Sequence, residues 1–170
     1  MENTTRPLTH VIKGIIIAVL LMVLDYIGQK ATTELPPVVR YLPLVFMVVG
    51  IAASCIIYAY QTNGTPGFGD LFAHGFKTTA VVAVFIAIYT FIIIKYVFPP
   101  TAHDIDLATK ALLAQGGILE QEARQKAIGN AKNAWVIEVS LITMAKVVTG
   151  LVGSLIGAGL AYLAFAKKKP

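Results

Sequence analysis

Five charged side chains stand inside or at the edges of otherwise apolar runs: Lys13, Asp25, Lys95, Glu138 and Lys146. An ionisable group in hydrocarbon is costly, and where several converge they can serve as a proton relay, an ion path or a headgroup contact. Asp25, Lys95 and Glu138 fall at one common boundary in the arrangement developed below, so these three form the candidate polar cluster. Each lies within a turn or two of a run's end, where Lys13 and Lys95 can snorkel on their aliphatic stems and Asp25 can meet water. The three histidines, His10, His74 and His103, occupy three separate segments, which argues against a shared metal site. H-E-x-x-H, G-x-S-x-G and glycine-rich phosphate loops are all missing from the sequence, so neither an enzyme nor a bound cofactor is expected. The single cysteine, Cys55, sits mid-run and allows no intrachain disulfide and no thiolate zinc cluster.

The elements that must carry these residues follow from composition. Of 170 residues, 56% are hydrophobic and 14% charged, with a mean hydropathy of +0.73. A soluble domain has roughly a quarter charged residues. Crossing a hydrocarbon layer takes roughly 17 to 25 apolar residues. Four stretches meet that need, at 11–28, 41–60, 78–97 and 146–165. The reading is a single all-α membrane domain of four transmembrane helices. A secretory signal peptide is the competing reading of the first run, but no A-x-A-like site follows and Asp25 interrupts the place for one. Tyr41, Tyr58 and Tyr60 bracket the second run, as amphipathic rings do at headgroup level. The formal charge of +5 sits in tails and connections beside apolar spans, which points to a lipid bilayer as partner and not to nucleic acid.

Before the third span, Asn63-Gly64 reads as a turn and Thr65-Pro66 as a helix start. Phe68, Phe72 and Phe76 then recur every four residues, with Asp70, His74 and Lys77 on the opposite side. This pattern predicts an interfacial helix, its rings among acyl chains and its polar face, His74 included, toward headgroups, before Gly75 lets the path bend into the span. Pro99-Pro100 ends the third span. Residues 101–133 form the one hydrophilic part and read as an extramembrane helical hairpin. Its first arm is capped by Thr101 or Asp104 and turns Ile105, Ala108 and Leu112 to one face; Gly116-Gly117 breaks it, and 118–128 form the second arm.

The last run, 134–165, is longer than a bilayer needs, so part of it must protrude and Lys146 marks one boundary. Within it Gly153 and Gly157 form a G-x-x-x-G element extended by Ala161, and Gly150, Ser154 and Ala158 repeat the spacing one turn around. Small side chains let helix backbones approach closely in lipid. These six residues are therefore the expected packing seam, within the bundle or between copies or a membrane-protein partner.

An even number of spans puts both termini on one side, and the Lys167–Lys169 cluster favours the cytoplasm for that side. "FGDLFAHGFKTT" before the third span, "KYVFPP" at its end, a charged helical hairpin with central "QGG" and a glycine-rich last span together resemble the domain of unknown function 4199 family. The resemblance implies a small four-span protein of the bacterial inner membrane and supplies no catalytic residues. The function expected is that of a non-enzymatic accessory or scaffold subunit acting through helix packing and its hairpin. The alternative is a small carrier or ion-conducting protein using Asp25, Lys95 and Glu138.

Overall fold

The computed structural model describes residues 9–30 and 37–166, and every regular element among them is helical. The order is α1 (His10–Lys30), α2 (Pro37–Gln61), α3 (Phe68–Ile92) continued by a π-helical turn (Ile93–Val97), α4 (Ala102–Ala114) and α5 (Glu120–Ala166). Four helical stretches are long and apolar enough to cross a membrane: His10–Gly28, Leu42–Gln61, Phe68–Val97 and Glu120–Phe165. The Lys167–Lys169 cluster lies outside the described residues. Two compact units divide the chain, one drawn from residues up to Ile86 and from Thr143 onward, the other from Ala87–Ile142.

The first unit is held by two apolar clusters. Ala18 and Leu21 of α1 meet Met47 and Ile51 of α2 and Val82 and Ile86 of α3. Ala59 of α2, Leu71 of α3 and Ala158 and Ala161 of α5 form the second, with Phe72 and Phe165 against it. Small residues make these approaches possible. All six positions of the glycine-rich stripe on α5 are buried. A methyl at Gly157 would stand 2.5 Å from Ala52 Cα and one at Gly153 would stand 3.0 Å from the Val48 carbonyl oxygen, so α5 lies backbone to backbone on α2. Gly150 faces the Thr79 side chain of α3.

Between α2 and α3 the chain turns as its residue types dictate. Asn63 and Gly64 take left-handed backbone angles, φ 53° and 70°, and Gly64 N–H donates to the Ala59 carbonyl at 2.8 Å, closing the helix end. Thr65 does not cap α3. Its hydroxyl donates back to the Thr62 carbonyl at 2.8 Å, and α3 starts at Phe68, where Asp70 Oδ2 accepts the Gly67 N–H at 3.3 Å. The helix continues through Gly75, so the phenylalanine stripe and the third span share one element instead of meeting at a bend. Gly75 provides space rather than a hinge: a methyl there would stand 2.6 Å from Cys55 Sγ and 2.8 Å from Ser154 Oγ. Phe68 and Phe76 are exposed, while Phe72 is half-buried.

In the second unit the π-helical turn closes with Phe98 N–H donating to the Ile93 carbonyl at 2.8 Å, just before Pro99-Pro100. A capping box starts α4: Thr101 N–H donates to Asp104 Oδ2 at 2.8 Å and Asp104 N–H to Thr101 Oγ1 at 3.3 Å. Thr109, whose hydroxyl donates to the Ile105 carbonyl at 2.7 Å, is buried on α4, whereas Ala108 is exposed. Gly116 and Gly117, φ 76° and 84°, end the arm. The expected second arm and the last span are one 47-residue helix, α5, with Ala123 and Ala127 buried on its early turns. Nothing between Asn130 and Trp135 breaks a helix, so propensity carries it through.

Candidate functional site

Three helix ends supply the site. His10 and Lys13 come from the first turn of α1, Ser54, Tyr58 and Gln61 from the last two turns of α2, and Asp70, His74, Lys77 and Thr78 from the first three turns of α3. On each helix these polar residues repeat at three- and four-residue spacing, so each helix turns one short polar stripe toward the other two. Between the stripes lies a recess of about 320 Å³ lined by Thr9, His10, Tyr58, Gln61, Asp70, Ala73, His74 and Lys77.

Behind this lining Lys13 is buried, 6% exposed, and so is His74, 7% exposed. The Lys13 ammonium donates to Gln61 Oε1 at 3.2 Å, to the Ser54 carbonyl at 3.4 Å and to His74 Nε2 at 3.4 Å. Three N–H groups thus meet three acceptors, which is what makes a buried ammonium tolerable. The Ser54 hydroxyl lies 3.2 Å from Thr78 Oγ1 and 3.3 Å from His74 Nε2, and Thr78 itself donates to the His74 carbonyl at 2.9 Å. The His74 ring stacks on Tyr58 with centroids 4.1 Å apart and planes within 3°, and His10 meets its edge at 6.1 Å. Lys13 Nζ stands 5.9 Å from the centre of the same Tyr58 ring.

An ammonium can only donate, so His74 Nε2 must accept, and the imidazole proton is assigned to Nδ1. The Ser54–His74 approach is within reach of a nucleophile and its base. Ser54, however, is 2% exposed and does not line the recess, and the base's lone pair is already engaged by Lys13. The arrangement is suited to binding more than to bond making.

The three residues of the sequence-derived polar cluster are shared between the two units. Asp25 is half-buried in the first unit, where its carboxylate interacts electrostatically with Lys146. Lys95 and Glu138 belong to the second unit, and Glu138 is exposed. The Lys95 ammonium stands 5.0 Å from the Phe91 ring centre, 5.6 Å from Tyr96 and 5.9 Å from Trp135, a set of cation–π contacts. Two expectations are corrected here. Lys13 does not snorkel to water but is fixed among α2 and α3 acceptors, and His74 faces the interior of the bundle, not headgroups. The signal that points to this site is the coincidence of three polar stripes on helix ends that topology brings to one end of the bundle.

No group of three or more metal-ligating side chains occurs among the described residues. No family model matches the chain, and no curated protein or solved structure matches it significantly. Fold and site together define a protein whose described residues form helices, four of them long and apolar enough to cross a membrane, with a polar recess at one end of the first unit.

Proposed function

We propose that this chain is a non-enzymatic, multi-pass membrane protein of the bacterial inner membrane that acts by binding a small polar ligand or headgroup in the recess between α1, α2 and α3. The observation that carries this reading is the buried Lys13, held by three acceptors directly behind a lining of ionisable and hydrogen-bonding side chains. Such an investment in an apolar bundle marks function by default. Both termini and the recess lie on the cytoplasmic side in this reading, supported by the basic cluster at the C-terminal end. The phenylalanine stripe rests in the acyl boundary, and α4 with the early turns of α5 stands outside the bilayer as the hairpin through which an accessory subunit engages its partner.

Thiol labelling tests the recess. In a Cys55→Ala background, Ala73→Cys, which lines the recess, reacts with a membrane-impermeant reagent supplied on the side of the termini, and Val45→Cys on the exposed apolar face does not. An unreactive Ala73→Cys would remove the reading.

A second reading, a small carrier, is favoured by one feature of α1. Lys13 and Asp25 sit on either side of the apolar layer made by Ala18, Leu21, Met47, Ile51, Val82 and Ile86. Polar stations separated by a dry constriction are what a gated path requires. Solute flux into proteoliposomes that is lost in Asp25→Asn would favour this reading over simple binding.

A further inference from the structure

We propose that the recess selects an oxoanion, a phosphate or carboxylate group, and that Lys13 sets this preference without lining the recess itself. The inference rests on the recess being open to water, as read above.

Donors outnumber acceptors around the recess. Gln61 and His74 both line the recess; His74 Nε2 has one lone pair to give and Gln61 Oε1 has two. Lys13 donates to each, Gln61 Oε1 at 3.2 Å and His74 Nε2 at 3.4 Å, and so takes the imidazole's lone pair and one of the amide's. What His74 has left to offer a ligand is its Nδ1–H alone, and the Gln61 amide, its oxygen held toward the Lys13 ammonium, adds N–H groups beside one remaining lone pair. Lys77 and His10 add nitrogen donors to the lining, and the Thr9 and Tyr58 hydroxyls donate or accept as required. Helices α1 and α3 begin at this end and their first turns add partial positive charge, against which the last carbonyls of α2, which ends at Gln61, set partial negative charge. One ionised side chain of the lining opposes the preference as well: Asp70, its Oδ2 accepting the Gly67 N–H at 3.3 Å. A volume of about 320 Å³ exceeds what a bare phosphate needs and leaves room for the group that carries it. The carrier is a lipid glycerol or a soluble metabolite, with the same chemistry at the charged end.

The test uses the full chain in nanodiscs with Cys55→Ala and Ala73→Cys. A thiosulfonate reagent bearing a sulfonate labels Cys at position 73 about tenfold faster than one bearing a trimethylammonium, because the local field concentrates anions. Inorganic phosphate slows the labelling saturably. Asp70→Asn tightens this protection and Lys77→Gln weakens it, each by roughly three- to tenfold. If the donor is a lipid headgroup, labelling is already slow in phosphatidylglycerol nanodiscs, fast in phosphatidylcholine ones, and free phosphate protects only the latter. If it is a solute, phosphate protects equally in both. Faster labelling by the cationic reagent, or protection that neither Asp70→Asn nor Lys77→Gln alters, overturns the oxoanion assignment while leaving an open recess in place. Failure of both reagents to label removes the recess reading as well. Lys13→Met abolishes the anionic preference by removing the buried cation and freeing His74 Nε2 to accept; in folded protein an unchanged preference overturns the role given to Lys13.

Discussion

Lys13 shows how one side chain in an apolar helix can be stabilised by geometry alone. Its ammonium has no carboxylate partner within the hydrogen-bonding shell described above, only neutral acceptors from α2 and α3. Removing it leaves the buried His74 Nε2 and the half-buried Gln61 Oε1 without that donor. Lys13→Met is therefore expected to cost about 1–3 kcal/mol, read as a lowered unfolding midpoint in detergent. In the second unit Asp104 makes a simpler case. Its hydrogen bonds from the Thr101 hydroxyl and backbone hold its carboxyl below the usual carboxylate range. A depressed value means that the cap's contribution is fully present above the ordinary carboxylate range and is lost as pH falls through Asp104's own lower value. The first turn of α4 is thus expected to gain amide exchange only in strong acid, and Asp104→Ala to show that faster exchange at neutral pH.

Among the elements, α5 was the most legible from sequence in one respect and the least in another. The six small residues of its stripe are recognisable by spacing, since only side chains of that size admit a backbone at the distance seen between Gly157 and Ala52. Its length was not legible, because the polar turns around Glu120–Lys132 and the apolar ones after Ala134 differ in environment, not in helical propensity. A change of composition is not an element boundary in this helix, nor is it one where the phenylalanine stripe runs on into the third span. The site was missed for a different reason: His10, Lys13, Ser54, Gln61 and His74 are distant in sequence, and each taken singly has an unremarkable explanation. Only the meeting of three helix ends turns them into a constellation. Two substitutions separate packing from propensity on α5. Gly157→Leu is expected to destabilise by about 1–3 kcal/mol through forced separation of α2 and α5. Gly129→Ala, where nothing stands within 4 Å, is expected to stabilise by about 0.5–1 kcal/mol. Chemical denaturation in mixed micelles reads both, and an equal loss in the two would show that the stripe is not a contact seam.

At the scale of the molecule, the described residues hold four stretches fit to cross a membrane, and four crossings would return the polypeptide to its starting side. His103→Cys and a cysteine near either terminus are therefore expected to label from opposite faces of a sealed vesicle; labelling from one face would require a different count of crossings. The described thiol that nature placed in this chain is Cys55, fully buried where α2 meets Gly75 of α3 and Ser154 of α5 lies against the same glycine. While those three helices stay together, the sulfur is sealed from reagents. Its rate of alkylation in the unmodified protein then serves as an internal clock for how often the bundle breathes apart, readable in a native bilayer without any added label.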